Sequence, residues 1–323
     1  MFYERMIHLP RTARIKVHNG IYHITMRSIK EFNLFRNKND KDKFLEILKK
    51  YKDIFLFKIF AYCLMDTHVH LLIYSNEADI SKFMHSINQS YAQYYNKKYD
   101  RHGHVFSDRF KSKIAKEDAD VAVMSAYIHN NPKDIKGYKN SVENYEYSSF
   151  STYIGTNKNQ LNLVDCFFIL NYFNKNPILS RNRYLNFVKN RISKTGEFID
   201  IKLDIDPDKS INNSIEYISG KTPLLRTLCP EKVMEFIYEN TNIDKVTINI
   251  KYNREISGYR CLCVLIMRCF CDFTFAQISQ IINNYTQSSL SQMCNKAYNL
   301  ICNNAKYKNI LEKFLDKYSL ATT

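Results

Sequence analysis

The stretch Asp66-Thr67-His68-Val69-His70-Leu71-Leu72-Ile73 determines how the first half of the chain is interpreted. Its two histidines alternate with aliphatic residues, and side chains two positions apart on a strand share a face. The pattern therefore predicts a strand with the aliphatic residues buried on one side and with His68 and His70 on the other. Two neutral imidazoles side by side supply half of a divalent-metal site. At this point the alternative is a pair of exposed or hydrogen-bonded histidines with no metal to bind.

Further strands are predicted on both sides of this stretch. Residues 21–27 are rich in β-branched and aromatic side chains, which favours a strand. Two apolar runs, at 54–64 and 69–74, flank Asp66 and Thr67, so they predict a strand pair joined by a tight turn. Residues 104–114 alternate in the manner of an extended segment.

Helices are predicted where apolar residues recur at a spacing of three and four. These segments are 40–52, which would open at Asp40, 80–99, and 117–131, which ends before Pro132. The resulting order of elements predicts an α+β fold, a ferredoxin-like antiparallel sheet with helices on one face.

The second half of the chain is predicted to be a mainly α-helical domain. Polar residues at 155–160 suggest a boundary, which divides the chain into 1–155, a helical connecting region at 156–254, and a last region at 255–323. Helices are expected at 162–174, 180–192, 230–240, 257–271, 274–283 and 287–303, with a polar connector at 193–207.

Composition and charge indicate the kind of partner. The 323 residues carry a formal charge of +15, and residues 1–50 hold 12 basic against 5 acidic side chains. Such an excess is typical of proteins that bind nucleic acid, although a Lys-, Asn- and Ile-rich composition also arises from AT-rich coding DNA. The longest apolar runs have seven residues, whereas a bilayer span needs about 20. We therefore expect a cytoplasmic protein without membrane segments, with its nine cysteines reduced.

The helix at 117–131 carries two more residues of chemical interest. Tyr127 and Asn131 are four positions apart, so they lie on one face of the helix about one turn apart. Because Pro132 disfavours helical geometry at the preceding residue, Asn131 is predicted to turn its amide oxygen outward. The alternative is a core tyrosine followed by an ordinary C-terminal asparagine.

Five blocks of the chain resemble, in the same order, the HUH single-tyrosine transposases, and most closely their REP-associated group. The blocks are Gly20-Ile-Tyr-His-Ile-Thr-Met-Arg27, Ala61-Tyr-Cys-Leu-Met-Asp-Thr-His-Val-His-Leu-Leu72, Gly103-His-Val-Phe-Ser-Asp-Arg-Phe-Lys-Ser112, Tyr127-Ile-His-Asn-Asn-Pro132 and Tyr145-Glu-Tyr-Ser-Ser-Phe150. The resemblance covers about residues 10–155. The chain departs from the family pattern at Thr67, Ser28 and Tyr147, none of which is a catalytic position.

The resemblance implies a site and a reaction. It assigns Tyr127 as the nucleophile, and it assigns His68, His70 and Asn131 as ligands of Mg²⁺ or Mn²⁺. It also implies single-stranded or hairpin DNA as the substrate and a 5′-phosphotyrosine intermediate. Since the family includes monomers and dimers, a homodimer stays open. The chemistry suits these residue types. A phenol with a pKa near 10 is a poor nucleophile at neutral pH, and a bound metal would compensate by activating the phosphate that the phenol attacks.

Basic and aromatic residues suggest where DNA would bind. Phe106 and Phe110 interleave with Arg109, Lys111 and Lys113, an arrangement typical of single-strand binding. The alternative is a solvated strand with its phenylalanines in the core. Further candidates for backbone contacts are Arg11, Arg14, Lys16 and Arg27.

The last region resembles the helix-turn-helix domain of the replication initiator DnaA, through Tyr259-Arg-Cys-Leu-Cys-Val-Leu-Ile-Met-Arg268, Thr274-Phe-Ala-Gln-Ile-Ser-Gln-Ile-Ile282 and Ser288-Ser-Leu-Ser-Gln-Met-Cys294. A helical packing domain is the alternative. The four cysteines at 261–271 have the spacing of core thiols rather than of zinc knuckles. Ser219-Gly-Lys-Thr222 lacks the glycine that a P-loop requires at 215.

Two rival functions stay open at this level. One is a DNA-binding regulator that retains the fold without the chemistry. The other is an HUH replication or relaxase-type initiator, although such proteins usually act with a helicase and no ATP motif is present.

Overall fold

A four-stranded antiparallel sheet organises the first half of the chain. The computed structural model describes residues 17, 19–157, 159–191, 226, 228–251, 253–283 and 285–318. The strands are β1 (Ile21–Arg27), β2 (Lys58–Leu64), β3 (His68–Tyr74) and β4 (Lys111–Ile114), and they lie in the order β2-β3-β1-β4. Each neighbouring pair is antiparallel.

Three helices accompany this sheet: α1 (Lys38–Phe55), α2 (Ile80–Lys98) and α3 (Asp118–Asn130). Ile24, Val69 and Leu71 occupy the sheet face opposite the histidines, and they share one buried core with the apolar residues of α1 and α2. The third helix packs on β2 and β3 from the histidine-bearing face. The predicted α+β fold is confirmed, whereas the expectation that the helices share one face was wrong, because α3 packs on the second face.

Several predicted boundaries were wrong, each for a local reason. The first helix begins at Lys38 instead of Asp40, because the side chain of Asn37 caps it by accepting from the Asp40 N–H. The helix continues to Phe55, so β2 cannot start at Ile54. It ends at Leu56, whose backbone adopts the left-handed conformation (φ 56°). Of the extended segment predicted at 104–114, the final four residues form a strand, while Phe106 makes an isolated bridge to Ser28.

The second half is helical, as predicted. Its helices are α4 (Phe150–Ile154), α5 (Phe167–Phe173), α6 (Pro177–Lys189), α7 (Pro230–Thr241), α8 (Lys245–Asn249), α9 (Arg254–Phe270), α10 (Phe275–Ile281), α11 (Gln287–Asn303) and α12 (Ala305–Tyr318). The sequence did not predict α4, α8 and α12. The predicted connector at 193–207 and the P-loop-like segment at 219–222 lie outside the described residues. The cysteines at 261, 263, 269 and 271 are buried.

Two sets of contacts join these helices to the first half. Helices α5 and α6 pack on α3, beyond the boundary predicted at 155–160, and α9 contacts α1. The buried Arg226 donates to the carbonyls of Asn76 (2.9 Å) and Cys269 (3.0 Å) and also to that of Phe55. Among the helices of the described residues, none combines the length and the apolar character that a bilayer span requires.

Candidate active site

The register of β1 against β3 brings three histidines to one face of the sheet. In this register, Thr25 lies opposite His70, and Arg27 lies opposite His68. Paired residues of antiparallel strands share a face, so His23, two positions before Thr25, lies on the same side. The sequence analysis missed His23. The signal was available, since the alternation of 21–27 places it opposite the buried residues of β1.

His70 is held through its Nδ1 atom. This nitrogen lies 3.0 Å from Nε2 of His23 and 3.4 Å from Oγ1 of Thr25. Burial lowers the pKa of His70 well below 6.5, and the neighbouring His23, His68 and Arg27 lower it further. Burial, with a contribution from Lys113, lowers the pKa of His23 to about 4. Both rings are therefore neutral at neutral pH.

His68 is held in the same way by a residue of the turn. Its Nδ1 lies 3.0 Å from Oγ1 of Thr67, one of the three positions at which the chain departs from the family pattern. Burial and then Arg27 lower the pKa of His68, while Asp134 opposes them. The His68 and His70 ring centroids are 5.0 Å apart. Since both Nδ1 atoms face β1 or the turn, the Nε2 atoms are the ones left for a ligand.

Tyr127 projects from α3 toward these histidines. Its ring centroid is 5.6 Å from that of His70 and 5.5 Å from that of His23, and 36% of the residue is exposed. It lines a cleft of about 470 Å³ between α3 and the sheet. The other residues of this cleft are His23, Thr25, Arg27, His70, Lys111, Ser112, Lys113, Val123 and Met124.

Asn131 adopts a geometry that differs from the prediction. Its backbone is helical (φ −56°, ψ −36°), because Pro132 enters the first turn of a 3₁₀ helix instead of ending all helical structure. Its amide nitrogen donates to the carbonyl of Tyr127 at 2.9 Å and to that of Ile128 at 3.4 Å. The nitrogen is thus turned back onto α3, which leaves the amide oxygen as the atom that could bind a metal.

A buried hydrogen-bond chain anchors α3 beneath Tyr127. Ser149 Oγ lies 2.8 Å from Nε2 of His129, and the Tyr184 hydroxyl lies 2.7 Å from its Nδ1. Tyr184 also donates to Ser125 Oγ, and Ser149 also donates to the carbonyl of Tyr62 at 3.3 Å, so both hydroxyls join His129 to further partners. Ser149 also accepts from the backbone N–H of Tyr62 on β2. These hydrogen bonds thereby connect α3 to both the sheet and α6.

The burial of His129 predicts an acid-sensitive fold. Burial lowers its pKa from 6.5 to about 3, so the unfolded state binds a proton more readily than the folded state does. The stability from this group is complete above pH 6.5 and is lost as the pH falls toward 3. Between pH 7.5 and 5.5 the loss is about 1.4 kcal/mol. Urea unfolding at both pH values should show this loss to be smaller in His129→Gln; equal losses would contradict the assignment.

The predicted DNA-binding residues do not all lie at one site. Arg27, Lys111 and Lys113 line the cleft beside Tyr127. Arg109 lines another cleft, of about 700 Å³, between α2 and the loop at 103–110. Phe110, predicted to stack on bases, is instead 6% exposed and belongs to the core. Arg11, Arg14 and Lys16 lie outside the described residues.

The match to a known family covers the segment that builds this site. Residues 16–131 match the family described as transposase, IS200-like. This segment is similar to the IS200-like transposases over about a third of the chain. The resemblance of this part of the chain to HUH tyrosine transposases is thereby confirmed, whereas the DnaA-like region stays a prediction.

Comparisons with individual proteins add little to this match. A solved structure of a REP-associated tyrosine transposase bound to a REP hairpin is similar, with a TM-score of 0.39 and 16% identity over 49% of this chain and 90% of that one. No curated protein matches the chain.

Proposed function

We propose that the chain is a metal-dependent transposase that cleaves and joins single-stranded or hairpin DNA through Tyr127. The observation that carries the proposal is the position of the Tyr127 ring, 5.6 Å from that of His70, in a cleft that Arg27, Lys111 and Lys113 also line. Tyr127, His70 and three basic side chains that could bind phosphate therefore lie close together, which supports the proposal. The IS200-like family match supports the same class of reaction.

The residues present fit a divalent metal. His68 and His70 are neutral and keep their Nε2 atoms for a ligand, and the amide oxygen of Asn131 is of the type that Mg²⁺ and Mn²⁺ accept. Within the described ranges, no group of three His, Cys, Asp or Glu side chains is arranged to hold a metal. The ligand set we propose therefore relies on an amide as its third member. When bound, the metal would polarise the scissile phosphate and stabilise charge on the leaving oxygen.

The residues of the chain account for the bonds that change. The Tyr127 hydroxyl loses its proton to solvent, and its oxygen bonds to phosphorus as the bond to the 3′ oxygen breaks. The departing 3′ oxygen takes up a proton and becomes a hydroxyl. Arg27, Lys111 and Lys113 bind the flanking backbone phosphates. Since phenolate is a better leaving group than an alkoxide, a 3′-hydroxyl can reverse the step and join DNA without ATP.

A labelled-DNA assay tests this proposal. The substrates are single strands from the DNA that flanks the gene, including those able to form hairpins. Each strand is labelled at either the 5′ or the 3′ end and is incubated with the protein and Mn²⁺. A 5′-phosphotyrosine predicts that a 3′ label moves to the mass of the protein, while a 5′ label stays on a shortened free strand. EDTA should abolish both products. DNA binding without any adduct, across all strands, would contradict the proposal and favour a non-catalytic regulator.

A further inference from the structure

We propose that His23 positions His70 for metal binding, by accepting a hydrogen bond from the Nδ1–H of His70. This inference rests on the proposed metal-dependent function, and it concerns a residue to which the family resemblance assigned no role. It specifies which tautomer each of the two rings adopts. It also makes β1 a part of the metal site.

The geometry of the two rings supports a direct hydrogen bond. Nε2 of His23 lies 3.0 Å from Nδ1 of His70, and the ring centroids are 5.2 Å apart with an angle of 29° between the planes. That centroid separation is close to the nitrogen–nitrogen distance plus the radii of two imidazole rings. The two nitrogens therefore face each other edge to edge, as a hydrogen bond between rings requires.

A hydrogen bond between these two nitrogens requires one proton, and the ring that carries this proton determines whether Nε2 of His70 can bind a metal. A neutral imidazole carries its proton on one nitrogen and a lone pair on the other. If His23 donated to Nδ1 of His70, the proton of His70 would reside on Nε2 and would block that atom as a ligand. If His70 donates from Nδ1, its Nε2 keeps the lone pair that a metal needs.

The surroundings of His70 leave Nε2 as the metal-binding atom. Nδ1 is occupied by His23, with Thr25 Oγ1 at a longer 3.4 Å. Within the part of the chain that the structure describes, no hydrogen bond engages Nε2, and His70 lines the cleft next to Tyr127. A metal bound through Nε2 therefore selects the tautomer in which His23 is the acceptor. Partners of this kind orient a ligand ring and raise its basicity.

Metal affinity tests this role with three variants. The affinity of the full chain for Mn²⁺, measured by calorimetry, should fall about 10- to 100-fold in His23→Leu, the usual effect of losing such a partner. His23→Gln supplies a carbonyl acceptor and should restore most of the affinity. His102→Leu is the matched control, because it removes an exposed imidazole that does not line the cleft, and it should stay near wild type. Unchanged affinity in His23→Leu, or no rescue by His23→Gln, would overturn the inference.

The tautomers can also be read without metal. In protein labelled with ¹⁵N-histidine, long-range ¹H–¹⁵N spectra should show His70 protonated at Nδ1 and His23 with an unprotonated Nε2. A proton on Nε2 of His70 would overturn the inference. This readout does not need activity, and it remains valid if His23→Leu folds poorly. A wild-type protein that binds no Mn²⁺ would count against the proposed function, whereas the tautomer would still decide the hydrogen bond between His23 and His70.

Discussion

Replacing Tyr127 with phenylalanine is expected to abolish the covalent DNA adduct while DNA binding persists. The substitution removes one oxygen atom, the atom that would bond to phosphorus, and it keeps the ring that packs beside His23 and His70. Arg27, Lys111 and Lys113, which would bind the backbone phosphates, are untouched. Loss of a nucleophile lowers the rate by at least about a thousandfold, so the adduct should fall below detection.

The matched control for this prediction is Tyr238→Phe. Tyr238 lies on α7, outside the cleft that contains Tyr127, and is 53% exposed. Removal of its hydroxyl should therefore leave the candidate site unchanged. This variant should form adduct at the wild-type level with a 3′-labelled strand and Mn²⁺. Binding of both variants to the same strand, measured by gel shift with EDTA present, separates catalysis from affinity. An adduct that survives in Tyr127→Phe would mean that another group attacks the DNA.

Replacing Arg226 with methionine is expected to cause the largest loss of stability, about 3 kcal/mol. The guanidinium is buried and donates to three carbonyls, which belong to Phe55, Asn76 and Cys269. Methionine fills much of the space but donates nothing, so three buried oxygens lose their donor at once. Burial lowers the pKa of Arg226 to about 10, so the side chain remains charged at neutral pH.

Urea unfolding followed by tyrosine fluorescence measures this loss, since the chain has no tryptophan. Arg183→Met serves as the comparison, because Arg183 is exposed and donates to the single carbonyl of Phe173. That variant should change the free energy of unfolding by less than about 0.5 kcal/mol. Equal effects of the two substitutions would show that Arg226 does not hold the α9 region against α1 and the end of β3.

Much of the first half of the chain could be predicted because the deciding signals are local. The alternation in 66–73 places His68 and His70 on one face whatever the rest of the chain does, since the period of a strand is two. The strand at 21–27 and the helix at 80–99 follow from similarly regular patterns. Errors came where a competing interaction acts at one residue, as with the cap at Asn37 and the 3₁₀ turn at Pro132.

The site is a mixture of predicted and unpredicted parts. The structure brings Tyr127 beside His70, as the family resemblance implied, while the roles of Tyr127, His68, His70 and Asn131 stay predictions. The alternation of 21–27 could have placed His23 on the face opposite the buried residues of β1, but its contact with His70 depends on the register of β1 against β3. Phe110 likewise lies in a segment whose mixture of basic and aromatic residues is typical of a DNA-binding strand. Its side chain is in the core instead, and this position depends on the loop that precedes β4.

By itself, the sequence determined the α+β order of the first half, the shared face of the two histidines and the helical character of the second half, because these follow from the periodicity of side chains along a strand or a helix. The tertiary structure alone decided that His23 meets His70, that α3 lies on the histidine-bearing face, and that Arg226 joins α9 to α1. Each of these depends on the pairing of segments far apart in the chain. Such pairing is set by strand register and by the packing of whole faces, which no local pattern specifies.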